Sequence, residues 1–202
     1  MGIFDIKSVA IVGASNKEGK AGNIILKNFI KRFNGKIYPV NPNYENLYGL
    51  KCYKSVLDIE EPVDCVIIAI HAEKVPEVIE QAGKKGVKLA IIISAGFSEV
   101  GRKDLEEKIL ESSKKYGIRI LGPNGMGLYD PYTGIDTFFV EEKRIKRPKK
   151  GKIAILSQSG AISLAVMEWL SSKEIGVSKI ISYGNKIDLD EIEILKELKN
   201  DE

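Results

Sequence analysis

The sequence predicts an α/β protein whose first part is a Rossmann-like, doubly wound parallel sheet. Short apolar runs recur along the chain, and each is continuous rather than alternating with polar residues, which is typical of strands buried on both faces. Segments with apolar residues at helical spacing separate the runs, and strands that alternate with helices form parallel sheets with right-handed crossovers. Glycine-rich turns follow several runs, which indicates a ligand site at the carboxyl edge of the sheet.

The elements follow in a regular order. The strands of the first part are predicted at residues 9–12, 36–40, 65–70, 89–93 and 118–121, and its helices at 21–33, 75–82 and 103–116. The pattern restarts with strands at 152–156 and 177–181 and helices at 161–170 and 191–198. We therefore divide the chain into a first domain, 1–128, a linker, 129–150, and a second domain, 151–202. Since two βα units rarely bury both faces of a sheet, the second domain is expected to be incomplete.

Composition excludes several classes of protein. With 202 residues, 44% of them hydrophobic, the chain is long enough for one full domain and part of another. The net charge of +3 comes from 31 basic and 28 acidic residues that are well mixed, which disfavours a dedicated nucleic-acid binder. Two cysteines are too few for a disulfide scaffold or a zinc site. No run is long enough to span a membrane and no signal peptide is recognised, so we expect a cytoplasmic protein. From the cysteine count we expect no metal site.

A basic stretch stands out within the predicted linker. Residues 143–150 contain six lysines and arginines. Such a stretch can meet RNA or polyphosphate, but blocks of like charge are more commonly solvated tails or linkers. We predict a solvated linker.

The turn after the first strand is the strongest site signal. It reads Gly13-Ala14-Ser15-Asn16-Lys17-Glu18-Gly19, followed by Lys20 and Gly22. Glycines allow a backbone to approach a phosphate closely, and the start of the next helix carries a partial positive charge toward an anion. Lysines at 17 and 20 add full charges. The turn therefore predicts a phosphate-bearing ligand, against the alternative of an ordinary βα turn.

The spacing is not that of a dinucleotide-binding enzyme. The NAD fingerprint is G-x-G-x-x-G with an acidic residue at the end of the second strand. Here the glycines are at 13, 19 and 22, and the second strand ends in Val40-Asn41-Pro42 without an acid. A hydride-transfer enzyme or an NAD-linked sensor is therefore disfavoured.

Other strand ends add residues to the same edge of the sheet. Ile70 and His71 follow the third strand, and the Ser94 hydroxyl with the Ala95 and Gly96 amides could donate to a ligand after the fourth. His71 is the only histidine in the sequence, and a lone histidine is more often incidental than catalytic. After the fifth strand comes the turn Gly122-Pro123-Asn124-Gly125, in which proline and asparagine fix the local backbone.

The second domain carries one further motif. Ser157-Gln158-Ser159-Gly160 opens a helix directly after a strand. Exposed amides at a helix start bind anions, whereas the plainer interpretation is a serine N-cap. It is not a G-x-S-x-G nucleophile elbow, and no second histidine exists for a triad.

Six motifs together resemble one family, the NDP-forming acyl-CoA synthetases, which include ADP-forming acetate–CoA ligase and succinyl-CoA synthetase α subunits. The resemblance covers nearly the whole chain in order. The motifs are VAIVGASNKEGKAG (9–22), YPVNP (38–42), IISAGFSEVG (92–101), RILGPNGMG (119–127), KIAILSQSGA (152–161) and ISYGNKIDLDE (181–191).

This resemblance implies a coenzyme A site in the first domain and a flavodoxin-like βαβα second domain. Residues 15–19 would meet the CoA phosphates, Asn41 and Pro42 the adenosine end, and residues 93–96 the pantetheine arm. The helix start at 157–160 would receive a phosphohistidine. A partner subunit or domain of the ATP-grasp class would bind ADP, so that a homo- or hetero-oligomer is expected, with no nucleic acid and no membrane involved.

Two departures from the family pattern bear on activity. The phosphohistidine of the family and its supporting carboxylate would lie beyond residue 202, so we expect a truncated chain that is inactive alone. Gly125 stands where relatives usually carry cysteine, serine or threonine, which removes a side chain near the reacting acyl group. The leading interpretation is thus the CoA-binding portion of an NDP-forming acid–CoA ligase, and the alternative is a non-catalytic CoA-binding regulator or scaffold.

Overall fold

The computed structural model describes residues 2 and 4–199, and within them it forms a five-stranded sheet, a four-stranded sheet and a short hairpin. The elements of the first part are, in chain order, β1 (Ser8–Val12), α1 (Ala21–Arg32), β2 (Lys36–Val40), β3 (Asn46–Leu47), β4 (Leu50–Lys51), β5 (Cys65–Ile68), α2 (Val75–Lys85), β6 (Leu89–Ile92), α3 (Lys103–Tyr116) and β7 (Arg119–Leu121). Those of the second part are β8 (Gly127–Asp130), β9 (Ile135–Asp136), β10 (Lys150–Ser157), α4 (Gly160–Ser172), β11 (Val177–Ser182) and α5 (Glu191–Leu198).

The larger sheet confirms the Rossmann-like prediction. Its strands are all parallel, in the order β2-β1-β5-β6-β7. Every residue of β1, β5 and β6 is buried, which is why these strands read as continuous apolar runs. The strand order reverses at β1, because β2 lies on one side of it and β5 on the other. The carboxyl ends of β1 and β5 therefore open a cleft at this point.

The helices begin and end where local chemistry dictates. Pro76 occupies the first turn of α2, where its missing N–H costs no hydrogen bond. Gly86 ends α2 and Gly117 ends α3, both in the left-handed conformation, with φ of 81° and 71°. None of the helices described in residues 2 and 4–199 is both long and apolar enough to cross a lipid bilayer.

The second sheet corrects the predicted linker. It is a mixed sheet of four strands, β10-β11-β8-β9, in which β8 is antiparallel to both β11 and β9. Strands β8 and β9 are buried and lie within or next to residues 129–150, so the first third of the predicted linker is not a linker. Strands of four and two residues are too short to produce a periodic pattern. The expectation that this sheet has only the two strands at 152–156 and 177–181 was therefore wrong.

One hydrophobic cluster includes residues of both sheets. Leu128 and Ile181 from the second sheet belong to the same buried cluster as Ile91 and Leu121 from the first. The segment that follows β11 also runs beside β7, where the Asp188 carboxylate accepts a hydrogen bond from the Ile120 amide at 2.7 Å. The turns at the carboxyl edge of the first sheet thus lie against the second sheet.

The basic stretch is not uniformly solvated as predicted. Arg147 is 2% exposed, and its guanidinium lies 2.8 Å from the buried carboxylate of Asp136. Burial raises the pKa of Asp136, an effect that the guanidiniums of Arg147 and Arg32 oppose. By contrast, Lys143 is largely exposed. The stretch therefore anchors the segment between β9 and β10 through one buried ion pair, because a carboxylate inside the protein needs a compensating charge.

Candidate functional site

A cavity of about 800 Å³ opens at the strand-order reversal; we call it the first cavity. It lies between the turn after β1, the end of β2 and the start of α2. Its lining residues include Gly13, Ser15, Lys17, Lys20, Gly22, Asn41, Pro42, Tyr44, Lys54, Ser55, Ile70, His71, Lys74, Glu77, Gln81 and Ala95. The cavity thus lies at the edge of the sheet where the sequence predicted a ligand site.

The glycine turn is shaped by close backbone packing. Gly13 has φ of 90°, and a Cβ there would overlap the carbonyl oxygen of Ala69. A Cβ on Gly22 would overlap the carbonyl oxygen of Gly13. Because both positions exclude any side chain, the first turn of α1 lies directly against the turn after β1. The positive end of α1 is thus held at the cavity.

Side-chain amides hold this turn in place. The Asn41 Nδ2 donates to the Ala14 carbonyl at 2.8 Å, and the Asn23 Nδ2 donates to the Ser15 carbonyl at 2.9 Å. The Ser15 hydroxyl accepts a hydrogen bond from the Lys17 amide at 3.0 Å. Asn41, which was predicted to contact the adenosine end of a ligand, therefore also links the end of β2 to the glycine turn.

The first cavity is positively charged. Its lining contains four lysines, Lys17, Lys20, Lys54 and Lys74, and none of them forms an ion pair with another residue that the structure describes. One carboxylate, that of Glu77, also lines it, and it accepts a hydrogen bond from the Gln81 amide at 3.2 Å. A cavity with this excess of lysines suits an anionic ligand.

A second cavity of about 780 Å³ lies between the two sheets. Its walls are the turn after β7, the start of α4 and the turn after β11. Its lining is Ile93, Ala95, Asn124, Gly125, Met126, Phe139, Ser157, Gln158, Ser159, Gly160, Ala161, Ile162, Leu164, Gly184 and Asn185. Since Ala95 lines both cavities, they meet at the turn after β6.

The start of α4 forms one wall of the second cavity. Ser159 is its N-cap, and the hydroxyl accepts a hydrogen bond from the Ile162 amide at 3.3 Å. The Ser157 hydroxyl bonds to the Ser159 backbone. The N-cap interpretation of this motif is therefore confirmed. Anion binding at the same helix start stays a prediction, and its geometry permits it because residues 157–160 all line the cavity.

The turn after β6 differs from the expectation that it offers free donors. The Ser94 hydroxyl accepts a hydrogen bond from the Ile70 amide at 3.1 Å and lies 3.4 Å from the Ile68 carbonyl oxygen. The Gly96 amide donates to the Glu99 carboxylate at 2.5 Å. Both groups are thus engaged within the protein, which ties the ends of β5 and β6 together. Of the three expected donors, the Ala95 amide is the one that lies where the cavities meet.

The turn after β7 is clamped from the second sheet. The Pro123 carbonyl accepts a hydrogen bond from the Asn185 amide at 2.8 Å, and the Asn124 Nδ2 donates to the Asn185 Oδ1 at 3.3 Å. A Cβ on Gly125 would lie 2.5 Å from the Ser182 carbonyl oxygen. Gly125 therefore does more than lack a side chain, because the backbone after β11 occupies the space that a side chain would need.

The predicted residues divide between the two cavities. Six of the predicted residues line neither cavity: Ala14, Asn16, Gly19, Ser94, Gly96 and Pro123. Those in the first cavity are Gly13, Ser15, Lys17, Asn41, Pro42, Ile70 and Ala95, and those in the second are Ile93, Ala95, Asn124 and residues 157–160. His71 lies exposed at the first cavity, apart from the α4 start.

The wall of the first cavity made by Lys54, Ser55 and α2 was not predicted from the sequence. Part of this wall has a recognisable spacing, since one helical face carries Lys74, Glu77 and Gln81. That spacing could have predicted that the three side chains lie together. Lys54 and Ser55 follow the β3–β4 hairpin and carry no such pattern. Within the described residues, no group of three or more histidine, cysteine, aspartate or glutamate side chains is placed to hold a metal ion.

Comparison with known families finds two matches along the chain. The CoA binding domain family matches residues 7–131, and the succinyl-CoA ligase like flavodoxin domain family matches residues 150–202. The second match agrees with the predicted flavodoxin-like segment.

Comparison with individual proteins points the same way. An ADP-forming acetate–CoA ligase from Methanocaldococcus jannaschii is 49% identical over 196 residues, which are 97% of this chain and 27% of that protein. The α subunit of ADP-forming acetate–CoA ligase I from Pyrococcus furiosus is 43% identical, over 99% of this chain and 44% of the subunit. The chain thus spans between about a quarter and under a half of these relatives.

A solved structure has the same fold. Acetyl-coenzyme A synthetase 1 from Ca. Korarchaeum cryptofilum, in complex with phosphate and ADP, superposes with a TM-score of 0.90 at 40% identity. The match covers 96% of this chain and 41% of that one.

Proposed function

Because this chain belongs to the CoA-binding domain family, we propose that it is the CoA-binding part of an ADP-forming acid–CoA ligase and that the first cavity holds coenzyme A. The observation that carries this proposal is the junction of the two cavities at Ala95. A ligand whose phosphates lie at the glycine turn can extend past Ala95, so that its thiol end faces the second cavity and the start of α4.

The two cavities then divide the chemistry. In the first, the α1 start with Lys17 and Lys20 stabilises the diphosphate of CoA. In the second, the start of α4 offers amides to the oxyanions of a phosphoryl group that is passed between the acyl phosphate and an enzyme nucleophile. The overall reaction takes acyl-CoA, ADP and phosphate to the free acid, CoA and ATP.

The nucleophile for phosphoryl transfer is not evident in this chain. His71 is the one histidine in the sequence, and it lines the first cavity rather than the α4 wall of the second. We therefore assign it no catalytic role. A histidine from elsewhere in the complete enzyme would meet α4, and a partner subunit or domain of the ATP-grasp class would bind ADP. One relative is itself named an α subunit, which supports such an assembly.

A non-catalytic CoA-binding protein is the second candidate. The open start of α4 in the second cavity favours the ligase, since a protein that only binds CoA needs no phosphate-receiving helix beside the thiol end. The start of the second domain at residue 151 stays a prediction, which the family match at 150–202 supports. The end of the first domain at residue 128 falls within β8, a strand of the second sheet.

Calorimetric titration with CoA, acetyl-CoA and NAD tests the proposal. We expect binding of both CoA compounds and none of NAD. Gly22→Ala should abolish CoA binding, since its Cβ overlaps the Gly13 carbonyl, whereas Gly86→Asn is a matched control because that position is open and tolerates asparagine. Tight NAD binding without CoA binding would overturn the proposal. An ADP- and phosphate-dependent assay separates the two candidates: turnover in the presence of a phosphohistidine segment and an ATP-grasp partner supports the ligase.

A further inference from the structure

One wall of the first cavity is built from two segments that are distant in sequence. Tyr53 pairs with Val40 beside the end of β2, and this places Lys54 and Ser55 next to the cavity. The Ser55 hydroxyl donates to the Gln81 side-chain oxygen on α2 at 2.9 Å. This contact joins the loop after β4 to α2 and closes that side of the cavity.

Two lysines of the cavity lining belong to the same two segments. Lys54 precedes Ser55, and Lys74 precedes the first residue of α2, two helical turns before Gln81. Both are exposed, both line the cavity, and neither forms an ion pair with any described residue. The nearby Glu77 carboxylate accepts from Gln81 on its own helix.

The remaining two lysines of the cavity lie elsewhere. Lys17 and Lys20 belong to the glycine turn and the start of α1. The cavity therefore presents two pairs of lysines on two different walls, one at the carboxyl end of β1 and one between the loop after β4 and α2. A ligand with a single anionic group would leave one pair without a partner.

Coenzyme A carries two separate anionic groups, the diphosphate and the phosphate on the ribose 3′ oxygen. Resting on the proposed function, we infer that Lys54 and Lys74 bind the ribose 3′-phosphate, while the glycine turn with Lys17 and Lys20 binds the diphosphate. The lysine pair on the α2 wall thereby makes the site select CoA over dephospho-CoA, which lacks that phosphate. A lysine ammonium offers three donors on a flexible stem, which suits a terminal phosphate.

The test is a calorimetric comparison of CoA and dephospho-CoA at about 0.15 M salt, where exposed charges are partly screened. The variants are Lys54→Ala, Lys74→Ala and the double variant. The matched control is Lys51→Ala, because Lys51 lies over the Tyr53 ring at 4.9 Å and outside the cavity lining. Circular dichroism checks that each variant folds, which exposed lysines should not impair.

We expect the unaltered chain to bind CoA about tenfold more tightly than dephospho-CoA. The double variant should bind CoA about as weakly as dephospho-CoA, whose own affinity should not change, and Lys51→Ala should leave both affinities as they were. Equal affinities in the unaltered chain, or a preference that survives in the double variant, would overturn this inference while leaving the proposed function intact. Failure to bind either compound would overturn both.

Discussion

The side-chain amide of Asn185 donates to the carboxylate of Glu99, with 2.7 Å between Nδ2 and Oε2. Asn185 follows β11 in the second sheet, whereas Glu99 follows β6 in the first. The same amide also lies 2.8 Å from the Glu106 carboxylate. Because Glu99 in turn accepts the Gly96 amide, a residue of the second sheet fixes the turn at which both cavities meet, next to Ala95.

Replacing Asn185 should loosen that turn. In Asn185→Ala, Glu99 and Glu106 lose their shared donor, and two carboxylates that repel each other remain. Since Glu99 is exposed, water replaces part of the lost bonding, and we expect the free energy of unfolding to fall by about 1 kcal/mol. Hydrogen exchange at the Gly96 amide should become faster.

Lys186→Ala is the matched control for this substitution. Lys186 is the next residue, and its ammonium pairs with the exposed Glu191 carboxylate, so its removal should change stability by less than about 0.5 kcal/mol. Equal exchange rates at Gly96 in Asn185→Ala and in the unaltered protein would show that Asn185 does not fix the turn.

Lowering the pH should remove the contribution that the Asn185–Glu99 hydrogen bond makes to the free energy of unfolding. Burial acts to raise the pKa of Glu99, but hydrogen bonds from the Gly96 amide and Asn185 outweigh it and hold the pKa below its ordinary value of 4.5. A carboxyl whose pKa is lowered by folding stabilises the protein above its unfolded pKa and loses this effect as the pH falls through the folded pKa. The stability gap between the unaltered protein and Asn185→Ala should therefore be full above about pH 5 and narrow below 4.5. Urea unfolding at several pH values measures it, and a gap that does not vary with pH would contradict the assignment.

The ion pair of Arg147 and Asp136 should be the most sensitive point of the basic stretch. Arg147→Met leaves the Asp136 carboxylate, which is fully buried, without its nearest positive charge. Removing one partner of a buried pair costs about 3–5 kcal/mol. Lys143→Ala, in the same stretch but 77% exposed, should cost less than about 0.5 kcal/mol. Similar small losses for both variants in urea unfolding would restore the interpretation as a solvated linker.

The strands that could be predicted from the sequence are those marked by a continuous apolar run. The apolar runs of β1, β5 and β6 are buried throughout, so these strands were predicted within two residues. Strands β8 and β9 were not predicted because their pairing depends on residues far along the chain, as when Ile181 aligns with Leu128. The role of Arg147 depends on its partner Asp136, and charge counting along the sequence cannot show such a pairing.

The part of the candidate site that could be predicted from the sequence is the glycine turn after β1. Gly13 and Gly22 are required by close backbone contacts, and a glycine pattern shows such contacts in the sequence. By contrast, Lys54 reaches the cavity through the pairing of Tyr53 with Val40, an isolated contact that no local pattern indicates. The Glu99–Asn185 contact joins residues 86 positions apart, and it was likewise not predictable from a local sequence pattern.

Introducing a side chain at position 125 should destabilise this protein. Gly125→Ser places a Cβ 2.5 Å from the Ser182 carbonyl oxygen and 3.1 Å from the Gly184 amide, so the backbone after β11 must move. We expect a loss of about 1–3 kcal/mol in urea unfolding, typical of overpacking. Gly86→Asn is again the control, since a Cβ there would have no heavy atom within 4 Å and asparagine tolerates its left-handed backbone. A Gly125→Ser variant as stable as the unaltered protein would show that the turn has room for a side chain at this position.

Helix α4 presents an apolar face to solvent. Ile162 and Trp169 are 58% and 55% exposed, and Ala161 and Ala165 on the same helix are exposed beside them. Apolar side chains around most of a helix are normally covered, and exposed apolar patches promote association. We expect this chain to self-associate at high concentration, and Ile162→Gln with Trp169→Gln should reduce the association seen in sedimentation velocity.

Because neither side chain is buried, each substitution should change the free energy of unfolding by less than about 0.5 kcal/mol. Ile194→Gln, at a fully buried position of α5, is the contrasting control and should cost several times more. A loss of about 2 kcal/mol for Trp169→Gln would instead mean that this side chain packs within the chain.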